Sequence, residues 1–217
     1  MAILEADRKA IGMLGGMFDP VHFGHLRPML EVKQALSLQS LRMMPCSIPP
    51  HRAAANVSAA QRVEMLRLAF EGEDGIVIDE REIQRGMPSY SYDTLVSLRE
   101  EFAEAPLCLI VGMDAFKGLP TWHRWQALLS LCHLVVMTRP GHALHGDEVL
   151  LRYADEHQTH AVDDLHANKA GKIYFCEVTS LDISSTKIRF FLRQGKSVRY
   201  LLPENVRAYL QEHQLYC

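Results

Sequence analysis

The sequence predicts an α/β protein built on a doubly wound parallel sheet. Short apolar runs that suit buried strands alternate with amphipathic runs at helical spacing along the 217 residues. The clearest strand, Leu107-Cys108-Leu109-Ile110-Val111, is apolar throughout, as strands covered on both faces are. No repeat, linker or low-complexity tract interrupts the alternation. We therefore expect residues 1–217 to form a single domain, with 179–217 as its C-terminal helical portion.

Each predicted strand is an apolar run bounded by turn residues. These runs lie at 10–14, 41–45, 76–78, 107–111, 134–137 and 173–178. Helices are predicted at about 24–36, 58–71, 92–102, 125–131, 184–193 and 203–213. We expect Ser58 to cap the second helix, Ser89 or Ser91 the third, and Pro203 to occupy the first position of the last. Residues 141–171 are rich in His, Asp and Glu and should hold a helix followed by a loop.

Composition narrows the class of protein. The net charge of −3 leaves no basic excess for a surface that tracks nucleic-acid phosphates, so small phosphorylated ligands fit better. The five cysteines are scattered and never form C-x-x-C, which disfavours a disulfide framework and structural zinc. Neither a secretory h-region nor 18 consecutive apolar residues occur. We expect a cytoplasmic protein with no nucleic-acid or membrane partner.

The first stretch that points to chemistry runs from Gly15 to His25, between the first strand and the first helix. Gly15 and Gly16 permit close approach of a bulky ligand, and a helix that follows a glycine turn aims backbone N–H groups at an anion. His22 and His25 lie three apart where the helix begins, so both imidazoles can reach one phosphate-sized volume. An isolated H-x-x-H would equally suit a zinc pair or two surface histidines. The complete G-x-G-x-x-G and G-x-x-x-x-G-K-[ST] patterns are absent, which disfavours dinucleotide and P-loop chemistry.

Two further stretches suit phosphate groups. Ile183-Ser184-Ser185-Thr186-Lys187-Ile188-Arg189 places hydroxyls, free N–H groups and an arginine at a helix start, as a polyphosphate site or as ordinary capping. Pro49-Pro50-His51-Arg52 offers two side chains on a stiff loop to a monophosphate, or it is simply exposed to solvent. Arg139 follows a predicted strand and is either a phosphate contact or a surface charge.

Other stretches suit the remainder of a nucleotide ligand. The helix start at Tyr90-Ser91-Tyr92 offers N–H donors that fit a carboxylate and would meet the N–H₂ of an amide. Trp122, predicted in a loop, offers a flat surface for a ring. Both stretches would also suit plain packing. Gly112 after the clearest strand permits close ligand approach, and Asp114 suits a ribose hydroxyl or a helix cap.

His157 and His160 are the remaining candidate metal ligands. They lack a third ligand at regular spacing, so we interpret them as solvated and expect no metal site of the protein's own.

The stretch Gly-Gly-x-Phe-Asp-Pro-x-His-x-Gly-His resembles the signature of the nucleotidyltransferase superfamily with an H-x-G-H motif. The stretch from Ile183 to Arg189 is similar to that family's I-S-S-T-x-I-R signature. Within the superfamily, the chain resembles the bacterial nicotinate mononucleotide adenylyltransferases, which usually carry Thr where this chain has Met17. The resemblance implies a Rossmann-like nucleotidyltransferase fold over residues 1–217, with the second motif in 179–217.

The resemblance also implies a role for each predicted site residue. The catalytic residues would be His22, His25 and Arg189. ATP would be bound by Gly15, Gly16, Phe18, Gly112, Asp114, Ile183, Ser184, Ser185 and Thr186. Nicotinate mononucleotide would be bound by His51, Arg52, Tyr90, Ser91, Tyr92, Trp122 and Arg139. Mg²⁺ would be delivered with ATP.

The function implied is adenylyl transfer from ATP to nicotinate mononucleotide in NAD biosynthesis, giving nicotinate adenine dinucleotide and pyrophosphate. The attacking phosphate is already an anion, so positioning and charge stabilisation should suffice without a general base. Two alternatives stay open. The same fold could serve nicotinamide mononucleotide or another phosphorylated acceptor such as phosphopantetheine, or it could be a non-catalytic nucleotide sensor. A homo-oligomer is compatible with either.

Overall fold

The computed structural model describes residues 9–48, 55–139 and 147–217. These residues form a six-stranded sheet of parallel strands in the order β3-β2-β1-β4-β5-β6. The strands are β1 (Ile11–Gly16), β2 (Ser40–Pro45), β3 (Ile76–Ile78), β4 (Leu107–Gly112), β5 (His133–Thr138) and β6 (Ile173–Glu177). The strand order reverses between β1 and β4, and a parallel sheet has a crevice for ligands at the carboxyl ends of the strands there.

Most helices of the described residues lie in the connections between these parallel strands, and α8 and α9 follow β6. They are α1 (Phe23–Ala35), α2 (Ala59–Ala69), α3 (Arg81–Arg85), α4 (Ser91–Glu101), α5 (Met113–Lys117), α6 (Glu148–His157), α7 (Asp164–Ala167), α8 (Ser185–Arg193) and α9 (Glu204–Glu212). Two 3₁₀ turns, Leu119–Thr121 and Trp125–Ser130, lie between α5 and β5. None of these helices is long and apolar enough to cross a membrane.

Two apolar clusters cover the two faces of the sheet. Successive strand residues alternate between them, as Met43 and Met44 do in β2, because neighbouring side chains on a strand point to opposite faces. One cluster contains buried residues of α1, α2, α8 and α9, and the other contains those of α4, α5 and α6. The predicted doubly wound α/β fold is therefore confirmed. The helices of 179–217 share one core with α1.

Local predictions were right in type and wrong in four details. β1 continues to Gly16, so the two glycines end the strand and the turn begins at Met17. Neither Ser89 nor Ser91 caps α4, whose N-cap is Tyr90 without a side-chain bond. Pro203 is the N-cap of α9 rather than its first helical residue. The predicted helix at 125–131 is a 3₁₀ turn. These details depend on the backbone conformation of the residues next to each helix or strand. The spacing of apolar residues along the sequence gives no information about that conformation.

Candidate active site

A cleft of about 350 Å³ opens at the carboxyl ends of β1 and β4, where the strand order reverses. A Cβ atom added to Gly15 or Gly112 would meet nothing within 4 Å, so both glycines border open space. The predicted site residues that line the cleft are Gly15, Gly16, Tyr90, Ser91, Gly112, Asp114 and Trp122. The structure thus gathers, in one concave site, residues from five parts of the chain: β1, β4, α5, the start of α4 and the end of the first 3₁₀ turn.

The start of α4 presents unpaired backbone donors at the edge of this cleft. Within the described residues, the N–H groups of Ser91, Tyr92 and Asp93 have no acceptor, and Thr94 N is the first in the helix to bond, to Tyr90 O. Ser89 does not cap the helix because its Oγ accepts from Ser47 N at 3.0 Å instead. A helix start with free donors and a positive dipole end suits a carboxylate.

Aromatic side chains form one wall of the cleft. Trp122 and His123 both line it, and the rings of Tyr90 and His123 lie 4.9 Å apart. Tyr92 was predicted to bind the same ligand, but it is not among the lining residues and instead carries the guanidinium of Arg124 over its ring. His123 contributes to the wall although sequence reasoning did not select it. Its position next to Trp122 was the available signal.

Glu82 and Cys46 also line the cleft, and sequence reasoning selected neither of them. Glu82 is buried, accepts from Thr94 Oγ1 at 2.8 Å, and has its pKa raised by burial. Cys46 Sγ lies 3.7 Å from Met17 Sδ, so the methionine that departs from the family pattern packs against a second sulfur. No sequence motif marks Glu82 or Cys46, since each enters the cleft through the packing of its own element.

His22 and His25 stack on each other at the start of α1. Their ring centroids lie 3.8 Å apart, and the Phe18 ring meets His25 edge to face with a centroid distance of 5.3 Å. Burial lowers the pKa of His22 to about 4, and burial with the neighbouring His22 lowers that of His25 to about 3. Both Nδ1 atoms are buried and have no hydrogen-bond partner in the described residues. At neutral pH the pair consists of uncharged imidazoles, each of which can donate one hydrogen bond to a ligand without carrying positive charge.

The two predicted phosphate motifs meet through direct contacts. Ser185 Oγ donates to Pro20 O at 2.9 Å, and Arg189 Nη1 donates to Asp19 O at 2.6 Å. A Cβ on Gly24 would lie 3.0 Å from Ile183 O, so the glycine of H-x-G-H is needed where α1 passes the second motif. Ser184 Oγ caps α8 by accepting from Lys187 N. The capping and phosphate interpretations of the second motif are therefore compatible.

A buried carboxylate, Asp19, lies at the centre of this junction. Its Oδ2 accepts from the backbone and side-chain nitrogens of Asn56 at 2.9 and 2.8 Å, and its Oδ1 accepts from Tyr216 Oη at 2.6 Å. Arg62 fixes the preceding turn by donating to Met17 O at 3.0 Å. The aspartate belongs to the quoted motif, but nothing in the sequence links it to Tyr216.

The structure describes only one of the three remaining predicted residues. His51 and Arg52 lie outside the described residues. Arg139 directly follows β5, is exposed, and does not line the cleft. The predicted phosphate-binding loop therefore stays a prediction from sequence.

Comparisons with known proteins agree on one family. The cytidylyltransferase-like family model matches residues 13–191. A probable nicotinate-nucleotide adenylyltransferase of Methylococcus capsulatus is 48% identical over 207 residues, 95% of this chain and 99% of that protein. One of Psychromonas ingrahamii is 45% identical over 213 residues, 98% and 100% of the two chains.

A solved structure is similar over nearly the whole chain. The nicotinic acid mononucleotide adenylyltransferase of Plasmodium falciparum, complexed with NaAD, has a TM-score of 0.74 at 18% identity and covers 96% of this chain and 97% of its own. At that identity, the likeness concerns the fold.

Proposed function

The chain belongs to the cytidylyltransferase-like family, among the nicotinate-nucleotide adenylyltransferases, and on that premise we propose that it adenylylates nicotinate mononucleotide in NAD biosynthesis. It is a nucleotidyltransferase. A phosphate oxygen of nicotinate mononucleotide attacks the α-phosphorus of ATP, and a new P–O bond forms. The bond from the α-phosphorus to the α,β-bridging oxygen breaks, so the products are nicotinate adenine dinucleotide and pyrophosphate.

One observation carries the proposed mechanism: the two phosphate motifs meet beside the cleft, through Ser185 on Pro20 O and Arg189 on Asp19 O. Within the described residues, the start of α8 has the free N–H groups of Ser185 and Thr186, and Arg189 follows them on the same helix. At the start of α1 the N–H groups of Phe23 and His25 are already bonded, so the two imidazoles are the donors that α1 offers to the same volume. Because the nucleophile is already ionised, such positioned donors supply what in-line transfer needs, namely alignment and stabilisation of charge on the phosphates.

We assign the phosphates of ATP to this junction. Arg189 supplies the permanent positive charge. His22 and His25, neutral in the unliganded protein, can each donate one ring N–H to a phosphate oxygen. A bound polyphosphate would favour their protonated forms, since a nearby anion raises the pKa of histidine. Phe18 and the residues Ile183, Ser184 and Thr186 complete this part of the proposed site.

We assign the adenosine to the glycine edges of the cleft. Gly15 and Gly112 border open space, so the backbone can lie close to the nucleotide there, and Asp114 is the acceptor offered to ribose hydroxyls. At Gly16 an added Cβ would lie 2.8 Å from the Phe18 ring, so this glycine lets Phe18 pack against the same edge.

The carboxylate group of the nicotinate ring is proposed to lie at the start of α4. The unpaired N–H groups of Ser91 and Tyr92 suit a carboxylate, and an amide would direct its own N–H₂ toward them. Trp122 and Tyr90 offer the aromatic surface for the pyridine ring. His51, Arg52 and Arg139 remain proposed contacts of the mononucleotide phosphate.

Mg²⁺ is proposed to enter on the phosphates of ATP, where it neutralises part of their charge. Over residues 9–48, 55–139 and 147–217, no three His, Cys, Asp or Glu side chains group so that they could hold an ion. The proposal also takes 1–217 as one nucleotidyltransferase domain, with 179–217 as the portion that carries the second motif. A cytoplasmic location is proposed because all five cysteines are free thiols.

The deciding experiment incubates the protein with MgATP and, separately, nicotinate mononucleotide, nicotinamide mononucleotide and phosphopantetheine. Pyrophosphate and the adenylylated product are both measured. We expect kcat/KM for the acid to exceed that for the amide by about 100-fold or more, because an unmatched buried polar contact costs several kcal/mol. Equal use of acid and amide would contradict the assignment of the α4 donors, and ATP binding without any pyrophosphate would favour the sensor.

A further inference from the structure

Asp19 is the only carboxylate of the described H-x-G-H turn, and its hydrogen-bonding capacity is met by residues far from it in sequence. It is 3% exposed, and burying such a group is tolerated only when it is well bonded. Asn56 donates to Oδ2, and Tyr216 donates to Oδ1 from 197 residues further along the chain. The penultimate residue of the sequence therefore holds one oxygen of this carboxylate.

The same aspartate holds the proposed catalytic arginine. Its backbone oxygen accepts from Arg189 Nη1 at 2.6 Å, and its Oδ2 lies 3.8 Å from that nitrogen. The next residue, Pro20, accepts from Ser185, and His22, two residues later, is the N-cap of α1. A rotation of Asp19 would consequently move the carbonyl that orients Arg189. It would also shift the backbone that leads through Pro20 to His22 at the start of α1.

Tyr216 is itself firmly placed. It and Leu215 are each 8% exposed and belong to the apolar cluster that contains Phe18 and Ile188. Leu215 N donates to Leu210 O at 3.0 Å, which ties the tail to the end of α9. Tyr216 has a φ of 65°, a left-handed conformation that costs a non-glycine residue about 1 kcal/mol or more. The surrounding contacts hold the residue in this conformation and aim its hydroxyl at Asp19.

The Tyr216 hydroxyl is the donor in its bond to the Asp19 carboxylate. Burial and the adjacent Asp19 raise the pKa of Tyr216, so the phenol remains protonated. Arg62 and Arg189, which also face this group, oppose the shift without reversing its direction.

We propose that Tyr216 is a positioning residue, by which the C-terminal tail fixes Asp19 and, through it, Arg189 and the H-x-G-H turn. This inference rests on the proposed function only for the identity of the reaction. It states that the hydrogen bond between Tyr216 and Asp19, which lies outside the cleft, fixes the geometry of the phosphate site. It is expected to act on turnover and ATP binding, and to leave the nicotinate end of the cleft unchanged.

The first test removes one oxygen, in Tyr216→Phe. We expect kcat to fall by about tenfold or more and KM for nicotinate mononucleotide to stay within about twofold, because preorganisation of Arg189 is lost while the α4 donors remain. The matched control is Tyr209→Phe, since Tyr209 lies on α9 and its hydroxyl has no hydrogen bond within the described ranges. A Tyr216→Phe protein with the kcat of the wild type would overturn the proposal.

A double-mutant cycle separates positioning from general destabilisation. If Tyr216 acts through Asp19, Tyr216→Phe should lower kcat by less than about twofold in an Asp19→Asn background, where the carboxylate is already gone. Equal losses in both backgrounds would mean that the hydroxyl acts independently of Asp19, contrary to the proposal.

A measurement on the unaltered protein keeps the proposal testable if Tyr216→Phe does not fold. Binding of MgATP should slow hydrogen exchange at the amides of Leu215 and Tyr216 by about fivefold or more, since coupling between two sites is reciprocal. Amides of α6 serve as the reference. An unchanged exchange rate in the tail would overturn the inference. A wild type that shows this protection yet makes no dinucleotide would instead contradict the proposed function.

Discussion

Arg189 and Asp19 are separated by 170 residues in the sequence, yet Arg189 Nη1 lies 2.6 Å from the backbone oxygen of Asp19. The same guanidinium reaches Thr186 Oγ1 with Nη2 at 3.3 Å. This fork joins the two phosphate motifs, and its geometry requires a planar group with several donors. Several measurable consequences depend on it and on the surrounding cleft.

Replacing the guanidinium of Arg189 by the ammonium group of a lysine should impair catalysis although the positive charge is kept. In Arg189→Lys, a single ammonium cannot hold Asp19 O and Thr186 Oγ1 together and still face the phosphates. We expect kcat to fall by about 100-fold, the scale of losing one oriented stabiliser of charge. Arg152→Lys, at a side chain that is 77% exposed, is the matched control. Turnover of the Arg189→Lys protein near that of the wild type would contradict the assigned role.

Replacing Gly15 by alanine should weaken the binding of ATP while leaving the stability of the fold almost unchanged. An added Cβ meets nothing within 4 Å there, so Gly15→Ala should change the free energy of unfolding by less than about 0.5 kcal/mol. If the nucleotide occupies that space, KM for ATP should rise by about tenfold or more.

Gly12 supplies the control for this change. In Gly12→Ala, the added Cβ lies 2.7 Å from Leu38 Cδ1, so overpacking should cost roughly 1 to 3 kcal/mol of stability. Urea unfolding and steady-state kinetics on both variants test the pair. A stable Gly15→Ala protein with an unchanged KM for ATP would exclude this edge of the cleft from the ATP site.

Acid should destabilise the protein through its stacked histidines. The unfolded chain protonates histidine near pH 6.5, whereas the folded pKa values of His22 and His25 are about 4 and about 3. Between those limits the unfolded state binds more protons, so the free energy of unfolding rises with pH across this window. From pH 7.5 to 5, each histidine should remove roughly 1 to 2 kcal/mol.

His25→Gln should abolish the contribution of His25 and flatten the pH dependence of urea unfolding. An identical pH dependence in the variant and the wild type would show that His25 is not held neutral.

In the kinetic assay, His25→Ala should lower kcat by at least about 100-fold in a folded protein, because one donor to the phosphates is lost. Near-normal turnover would remove His25 from the catalytic group.

The two tryptophans should report different properties. Trp122 lines the cleft, so Trp122→Ala should raise KM for nicotinate mononucleotide by about fivefold to tenfold, the equivalent of roughly 1 kcal/mol of ring stacking. Trp125 packs against Tyr153 at 4.9 Å, and Trp125→Ala should lower Tm and leave that KM unchanged. If both variants change KM alike, Trp122 has no specific contact with the pyridine ring.

The sequence by itself determined the α/β class, the positions of the strands and the two phosphate motifs. These follow from local spacing, since a run such as Leu107 to Val111 must be covered on both faces, and a glycine or a serine at a helix start acts within a few residues of itself. For the same reason, the capping prediction at Ser58 was right. Seven predicted residues of the cleft came together because all lie at or after carboxyl ends of strands in one parallel sheet.

Only the tertiary structure decided the contacts that cross the chain. The sequence does not give the strand order, so it could not show that Ser89 Oγ accepts from Ser47 N rather than capping α4. For the same reason it could not show that the Tyr92 ring packs against Arg124 or that Glu82 lines the cleft. The neutral state of His22 and His25 depends on burial, and the bond between Asp19 and Tyr216 depends on where the turn after α9 places Tyr216. Burial and long-range hydrogen bonds are properties of the packed chain, because each is made by residues that only folding brings together.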